Sequence, residues 1–306
     1  MPEYDGATYD AYAEDFKSGY ELGLQQRMSK FDPYVTMAPP LSGDSATIIN
    51  IVEPFEAQVG GDDLGDTEWS IPEFNTRWAF PVKIRAAIPV TTDDQLYTLS
   101  DPSNPLIQST LAAHRRAMDN RIILPAMFRD VTGGKDKGKT FSFDPVNHVV
   151  AKSVGGADTS LNYYKLVELR QKMLELEVDL DAEPITIAIP PQVEAHLLHL
   201  AEAKNSDFNK LGIVISNGRV TSAMGCNIVV SNMIEKDPTG VTWYCPAWVR
   251  SGIGVQSWLN PWVRISERDD KNYTTQVFAE MRAGAARMME GKVFRVECHV
   301  GQPANP

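Results

Sequence analysis

The stretch from Ser103 to Asp130 constrains this chain more than any other. Ile107, Leu111, Met118 and Ile122 recur at helical spacing along one side, with His114 between them. Ser109, Arg116 and Asn120 lie opposite, and Arg115 and Asp119 fall on the flank. Asn104 reads as an N-cap and Pro105 as the first helical residue, where a missing N–H leaves nothing unsatisfied. Pro125 predicts a kink or an end near Leu124, and Gly133–Gly134 predict a stop. The expectation is one long helix with a polar and an apolar side, a rod suited to sharing between subunits.

The rest of the chain is arranged around that rod. Residues 1–35 read as an arm: Tyr9, Tyr12, Phe16, Tyr20 and Leu24 make a helical stripe that docks on this subunit or on a neighbour. Residues 46–95 read as extended, with a polar G-G-D-D-L-G-D turn between two β-rich runs. Pro81 and Pro89 assign the second run to an edge or a protruding hairpin. Trp69, Phe74, Trp78 and Phe80 either fill a local core or anchor an interface, where large aromatics and Arg are enriched. Beyond the rod come an amphipathic helix over 160–177 capped by Ser160 and a buried strand at 185–189. That strand runs through prolines into a third helix. Further strands are expected at 227–234, after D-P-T-G, through Thr274–Met281 and at 293–300. The fold class is α+β, without internal repeats.

Several function classes find no support. The 306 residues hold no run of 18 or more apolar side chains, and the N-terminus lacks a signal-peptide pattern. Three cysteines without CxxC spacing indicate neither a disulfide framework nor a zinc ribbon, and fit folding in a reducing cytoplasm. A net charge of −11 argues against gripping nucleic acid through its phosphates, although it leaves room for a local basic patch. Gly133–Thr140, G-G-K-D-K-G-K-T, matches GxxxxGK[ST] letter for letter. A working phosphate loop needs a strand before it and a helix after it, and here that order is reversed. A plain Gly/Lys loop is the favoured reading. His196 and His199 sit three apart without a third ligand in view. No catalytic residue, metal ligand or cofactor is assigned, and no enzymatic activity is expected.

Read in order, the segments resemble those of a tailed-bacteriophage major capsid protein with the Hong Kong 97-type fold. Y-E-L-G-L-Q-Q-R-M-S-K-F resembles the family's arm helix, and R-W-A-F-P-V-K-I-R-A-A-I-P-V-T-T-D-D the returning strand of its extended loop. L-S-D-P-S-N-P and A-H-R-R-A-M-D-N-R-I-I resemble the lead-in and body of its spine helix. I-T-I-A-I-P-P-Q-V-E-A-H-L-L resembles the opening of the axial domain, and N-S-D-F-N-K-L with G-R-V-T-S-A-M-G-C-N-I-V-V-S-N its continuation. W-V-R-S-G-I-G-V, I-S-E-R-D-D and A-G-A-A-R followed by G-K-V-F-R-V complete the series.

The resemblance implies an N-terminal arm (1–45), an extended β-hairpin loop (46–98), a peripheral domain with a long spine helix (99–183 plus 261–306) and an axial domain (184–260). It also implies hexamers and pentamers that close into an icosahedral head around the double-stranded DNA of a tailed phage, assembled in the host cytoplasm. A portal protein, possible decoration proteins and, since the chain opens on the arm, a separate scaffolding protein are the partners implied; no membrane is involved. Pro125 and Gly133–Gly134 are the expected bending points of the spine. Subunit-interface candidates are Trp69, Phe74, Trp78, Arg115, Arg116 and Asp119. Two alternatives stay open: an encapsulin-type nanocompartment shell, and a P-loop nucleotide-binding protein using Lys139 and Thr140.

Overall fold

A computed structural model of the chain describes residue 26 and residues 28–40, 46–52, 72, 74–90, 103–134, 136–202 and 213–299. The arm ends in β1 (Thr36–Ala38). β2 (Ala46–Val52) pairs antiparallel with β3 (Phe74–Ala79), and after Phe80–Pro81 the chain continues as β4 (Val82–Val90). The rod follows as α1 (Ser103–Ala117), a π-helical stretch (Met118–Ile123) and α2 (Leu124–Phe128). Next come β5 (Val131–Gly133), β6 (Lys139–Phe141), β7 (Val149–Val150), α3 (Tyr163–Glu175), β8 (Thr186–Ile189) and α4 (Pro191–Glu202). The strands that follow are β9 (Val214–Ser216), β10 (Arg219–Ala223), β11 (Cys226–Val230), β12 (Thr242–Trp248), β13 (Ile253–Arg268), β14 (Thr274–Arg287) and β15 (Val293–His299).

Three sheets result among the described residues. The largest has seven strands in the order β7-β15-β12-β8-β11-β10-β9. Its central strand β8, T-I-A-I, is buried throughout, as an apolar run without alternation requires. This sheet takes β7 and β15 from stretches on one side of the expected domain boundary and β8 to β12 from the other. A four-stranded sheet, β1-β13-β14-β4, puts β4 at an edge, where Pro89 withholds no ladder donor from a second neighbour. The third sheet has the order β2-β3-β5-β6.

One hydrophobic core runs through the body. It joins Phe31 and Val35 near the arm, Met118, Ile122 and Ile123 of the rod, Leu166, Leu169 and Met173 of α3, and Val193 and Leu197 of α4 to the strands behind them. Burying a side chain of this size stabilises by roughly 1.5–3 kcal/mol, which outweighs any local propensity.

Two expectations about helix ends need correction. α3 is capped by Asn162, whose Oδ1 accepts from the Lys165 N–H at 2.9 Å; Ser160 and Leu161 are buried before the helix begins. The rod ends at Phe128, where Arg129 turns extended, so Gly133 and Gly134 do not stop it. Gly133 instead belongs to β5. A Cβ there would meet the Thr76 carbonyl at 2.7 Å and the Phe141 ring, so glycine is required by the close approach of β3 and β6.

Candidate functional site

Pro125 is absorbed rather than left as a break. It sits in the first turn of α2, where its missing N–H and its ring demand a gap in the ladder. The wider π winding immediately before it supplies that gap, and π segments of this kind are often found at functional positions. Asp119 lies in that winding and is fully buried.

The arm is fastened there. Gln26 Nε2 and Ser29 Oγ donate to the Asp119 carboxylate at 2.6 Å each, and the Lys30 backbone N–H donates at 3.0 Å. Burial pushes the Asp119 carboxyl above the usual range, while the three donors pull it back and nearby Asp32 adds to the rise. The Lys30 ammonium reaches past to the Val230 carbonyl at 2.7 Å, and burial, then Arg219, lowers its pKa. Arg115 touches the Met28 sulfur at 2.9 Å. Three residues after Met28, Phe31 meets the Trp248 ring edge-on at 5.9 Å, and the Trp248 indole donates to the Tyr34 carbonyl at 2.8 Å. Asp119, read from sequence as a flank residue facing a neighbour, is thus occupied within its own subunit.

The C-terminal end of the rod is closed by a residue that sequence reasoning missed. Arg287 is fully buried, and its guanidinium donates to the carbonyls of Met127, Arg129 and Phe141 at 2.9, 3.2 and 3.1 Å. It therefore satisfies main-chain acceptors left open where the helix stops. Beside it, buried Arg77 lies 3.3 Å over the Phe141 ring and forms an ion pair with Glu290 at 3.0 Å. The Arg in A-G-A-A-R was visible in the sequence, but nothing there marked it as buried.

The other candidates separate clearly. Phe74 is 67% exposed at the start of β3. Trp78 is half-buried and engaged at home: its indole donates to the Gly134 carbonyl at 2.8 Å, and the Lys137 ammonium stands 4.7 Å over its ring. Arg115 is exposed and Arg116 half-buried on the rod. Trp69 and the stripe from Tyr9 to Tyr20 lie outside the described residues.

The Walker-like letters fold as a hairpin. β5 and β6 pair through Gly133 and Lys139, so no helix follows the motif to aim its N–H groups at a phosphate. The nucleotide reading loses its structural basis. Cys226, Cys245 and Cys298 are buried free thiols, with burial pushing Cys226 up to about 11, which leaves it a poor nucleophile.

A rod held by an arm at its π winding and by an arginine at its C-terminal end, flanked by a large mixed sheet and a long hairpin, is the design of a shell-building subunit. The chain belongs to the phage capsid protein family, whose model matches residues 9–300. It has the Hong Kong 97-type fold and is a major capsid protein, a structural component of the virion shell. The capsid protein of cyanophage P-SCSP1u is similar in fold, with a TM-score of 0.68 and 14% identity over 94% of this chain and 93% of that one. The capsid of Ralstonia phage GP4 aligns with a TM-score of 0.67 and 12% identity over 100% and 97%. The SrpI encapsulin of Synechococcus elongatus PCC 7942 also aligns, with a TM-score of 0.63 and 11% identity over 100% and 99%. No curated protein sequence is a significant match.

Proposed function

We propose that this capsid protein assembles as hexamers and pentamers into an icosahedral head that encloses the double-stranded DNA of a tailed phage. The observation that carries this reading is the family match across residues 9–300 on a fold shared with phage shells. Residues 1–45 act as the arm, 46–98 as the extended loop, 99–183 with 261–306 as the peripheral domain and 184–260 as the axial domain. Phe74, Trp69, Arg115 and Arg116 supply contacts to neighbouring subunits, and Trp78 supports the loop from behind. Many modest contacts around closed rings add to a strong shell, because each new contact in a ring is effectively intramolecular. A scaffolding protein and a portal protein join it in the host cytoplasm, with a decoration protein as a further candidate partner. Where the spine must bend during shell maturation, the π winding at Met118–Ile123 is the place for it.

Electron microscopy of the purified protein and of its native lysate tests the reading: closed icosahedral shells or capsomer rings are expected, and a uniform small particle under every condition overturns it. The encapsulin alternative shares the fold. Shells filled with DNA support the phage head, whereas shells filled with a protein cargo support the nanocompartment.

A further inference from the structure

β12 and β15 run antiparallel as neighbours in the seven-stranded sheet, with Trp243 opposite Cys298, Cys245 opposite Val296 and Ala247 opposite Phe294. Side chains alternate along a strand, so these residues share one face, and all of them are buried. Cys245 and Cys298 therefore stand on a diagonal of that face, both fully buried. α3 brings a charge to the same place. Lys165, in its first turn, is fully buried. Its ammonium donates to the Thr159 carbonyl at 2.5 Å and to the Glu297 carbonyl, in the peptide that joins Glu297 to Cys298, at 2.6 Å.

The two thiols are hydrogen-bonded to each other and differ in character. Burial, then the bond to Cys298, pushes the Cys245 thiol well above the usual range. The bond from Cys245, helped by the Lys165 ammonium, holds the Cys298 thiol below that range against the effect of burial. Burial lowers the pKa of Lys165 in turn, and the two thiols pull it back up. One sulfur is thus favoured as a thiolate while the other keeps its proton, and a dithiol that reacts in sequence needs that inequality. Cys226 on β11 is the contrast, a thiol that burial pushes up to about 11 although the Arg170 charge opposes it.

We propose that Cys245 and Cys298 form a redox modification site, at which a peroxide oxidises Cys298 and Cys245 then closes a disulfide that staples β12 to β15. The Cys298 thiolate attacks one peroxide oxygen, the O–O bond breaks, and the departing hydroxide takes up the proton that Cys298 gave away. The Cys245 sulfur then attacks the resulting sulfenic sulfur, the S–O bond breaks, and the second hydroxide leaves with the Cys245 proton. Two thiols lose two hydrogens, and one peroxide becomes two waters. Diagonal partners have Cα atoms about 7–8 Å apart, so a sulfur–sulfur bond of about 2.05 Å draws the two strands slightly together. The shell reading above supplies only the occasion: a virion leaves a reducing cell for surroundings in which disulfides persist.

Hydrogen peroxide added to the folded full-length chain, then quenching, denaturation with an alkylating agent and peptide mass mapping, tests it. The expected product is a Cys245–Cys298 peptide pair lighter by two hydrogens, with Cys226 still free to alkylate and the bond reversed by a dithiol reductant. In dimedone, Cys245→Ser should trap a sulfenic acid on Cys298 about tenfold faster than Cys298→Ser traps one on Cys245. The bonded chain should also unfold at a higher urea midpoint, which the reductant returns to its starting value. Cys298 running on to sulfinic acid while Cys245 stays free overturns the proposal. Bonds to Cys226 or between chains, thiols that resist peroxide until the chain unfolds, and an unchanged midpoint in the bonded chain overturn it as well. The chemistry is read on the isolated chain, so a chain that oxidises as expected but builds no shell counts against the shell reading alone.

Discussion

The β13–β14 hairpin passes through two environments, and its root and tip use charge in opposite ways. At the root, Ile253 to Gln256 face Gly284 to Arg287 and every position is buried. The single cation there, Arg287, commits its two terminal nitrogens to three carbonyls. At the tip, Arg268 pairs with Asp270 in the open, and the pair holds the Asp270 carboxyl down at about 2 through the Arg268 hydrogen bonds. The contrast teaches that the visible ion pair is the dispensable one. An exposed pair trades hydration for a screened contact, whereas a buried guanidinium that fills otherwise empty acceptors leaves a large penalty if removed.

The comparison can be broken in several ways, beginning with the largest effect. Arg287→Met should lower the unfolding free energy by about 3 kcal/mol or more, because three main-chain carbonyls lose their donor in a dry setting; chemical denaturation measures this. A loss below about 1 kcal/mol would show that water reaches the root. Gly284→Ala should cost about 2 kcal/mol in the same assay, since the added carbon runs into the Phe80 backbone. Asp119→Ala should cost roughly 1–2 kcal/mol and, more tellingly, expose residues 26–30 to limited proteolysis while the body stays resistant.

A pH titration sharpens the same contrast. Burial lowers the pKa of His148, which sits between Phe294 and Phe143 and is neutral in the folded state near pH 7. Its contribution is complete above the ordinary value near 6.5. Below it, the unfolded chain takes up the proton first, so stability falls with pH until the folded pKa is passed. His148→Phe should flatten that acid limb. Smallest of all, Arg268→Ala at the tip should leave the unfolding midpoint unchanged within error.

Much of this architecture was legible because pattern and environment agreed. The rod was announced by Ile107, Leu111, Met118 and Ile122, and β8 with α4 by an apolar run entering paired prolines. The longest strand, β13, was not legible. Gly254, Asn260 and Pro261 interrupt its alternation, and the ladder absorbs Asn260–Pro261 as register shifts between Ser257 and Trp262. Asp119, Arg77 and Arg287 were misread or passed over for one reason: a charge in sequence reads as surface, and only three-dimensional partners reveal otherwise. The letters of Gly133–Thr140 mislead in the opposite sense, since they match a phosphate loop whose strand-then-helix setting is missing.

The parallel pairing of β1 with β13 sets a schedule for synthesis. Met37 finds its place only beside Val255, and β4 only beside β14, so the opening portion of the chain waits for the closing portion to leave the ribosome. At about 5–20 residues per second that interval is roughly 10–40 s. During it the arm has no finished body to launch from, and the subunit becomes competent to meet its neighbours only once β13 and β14 have emerged.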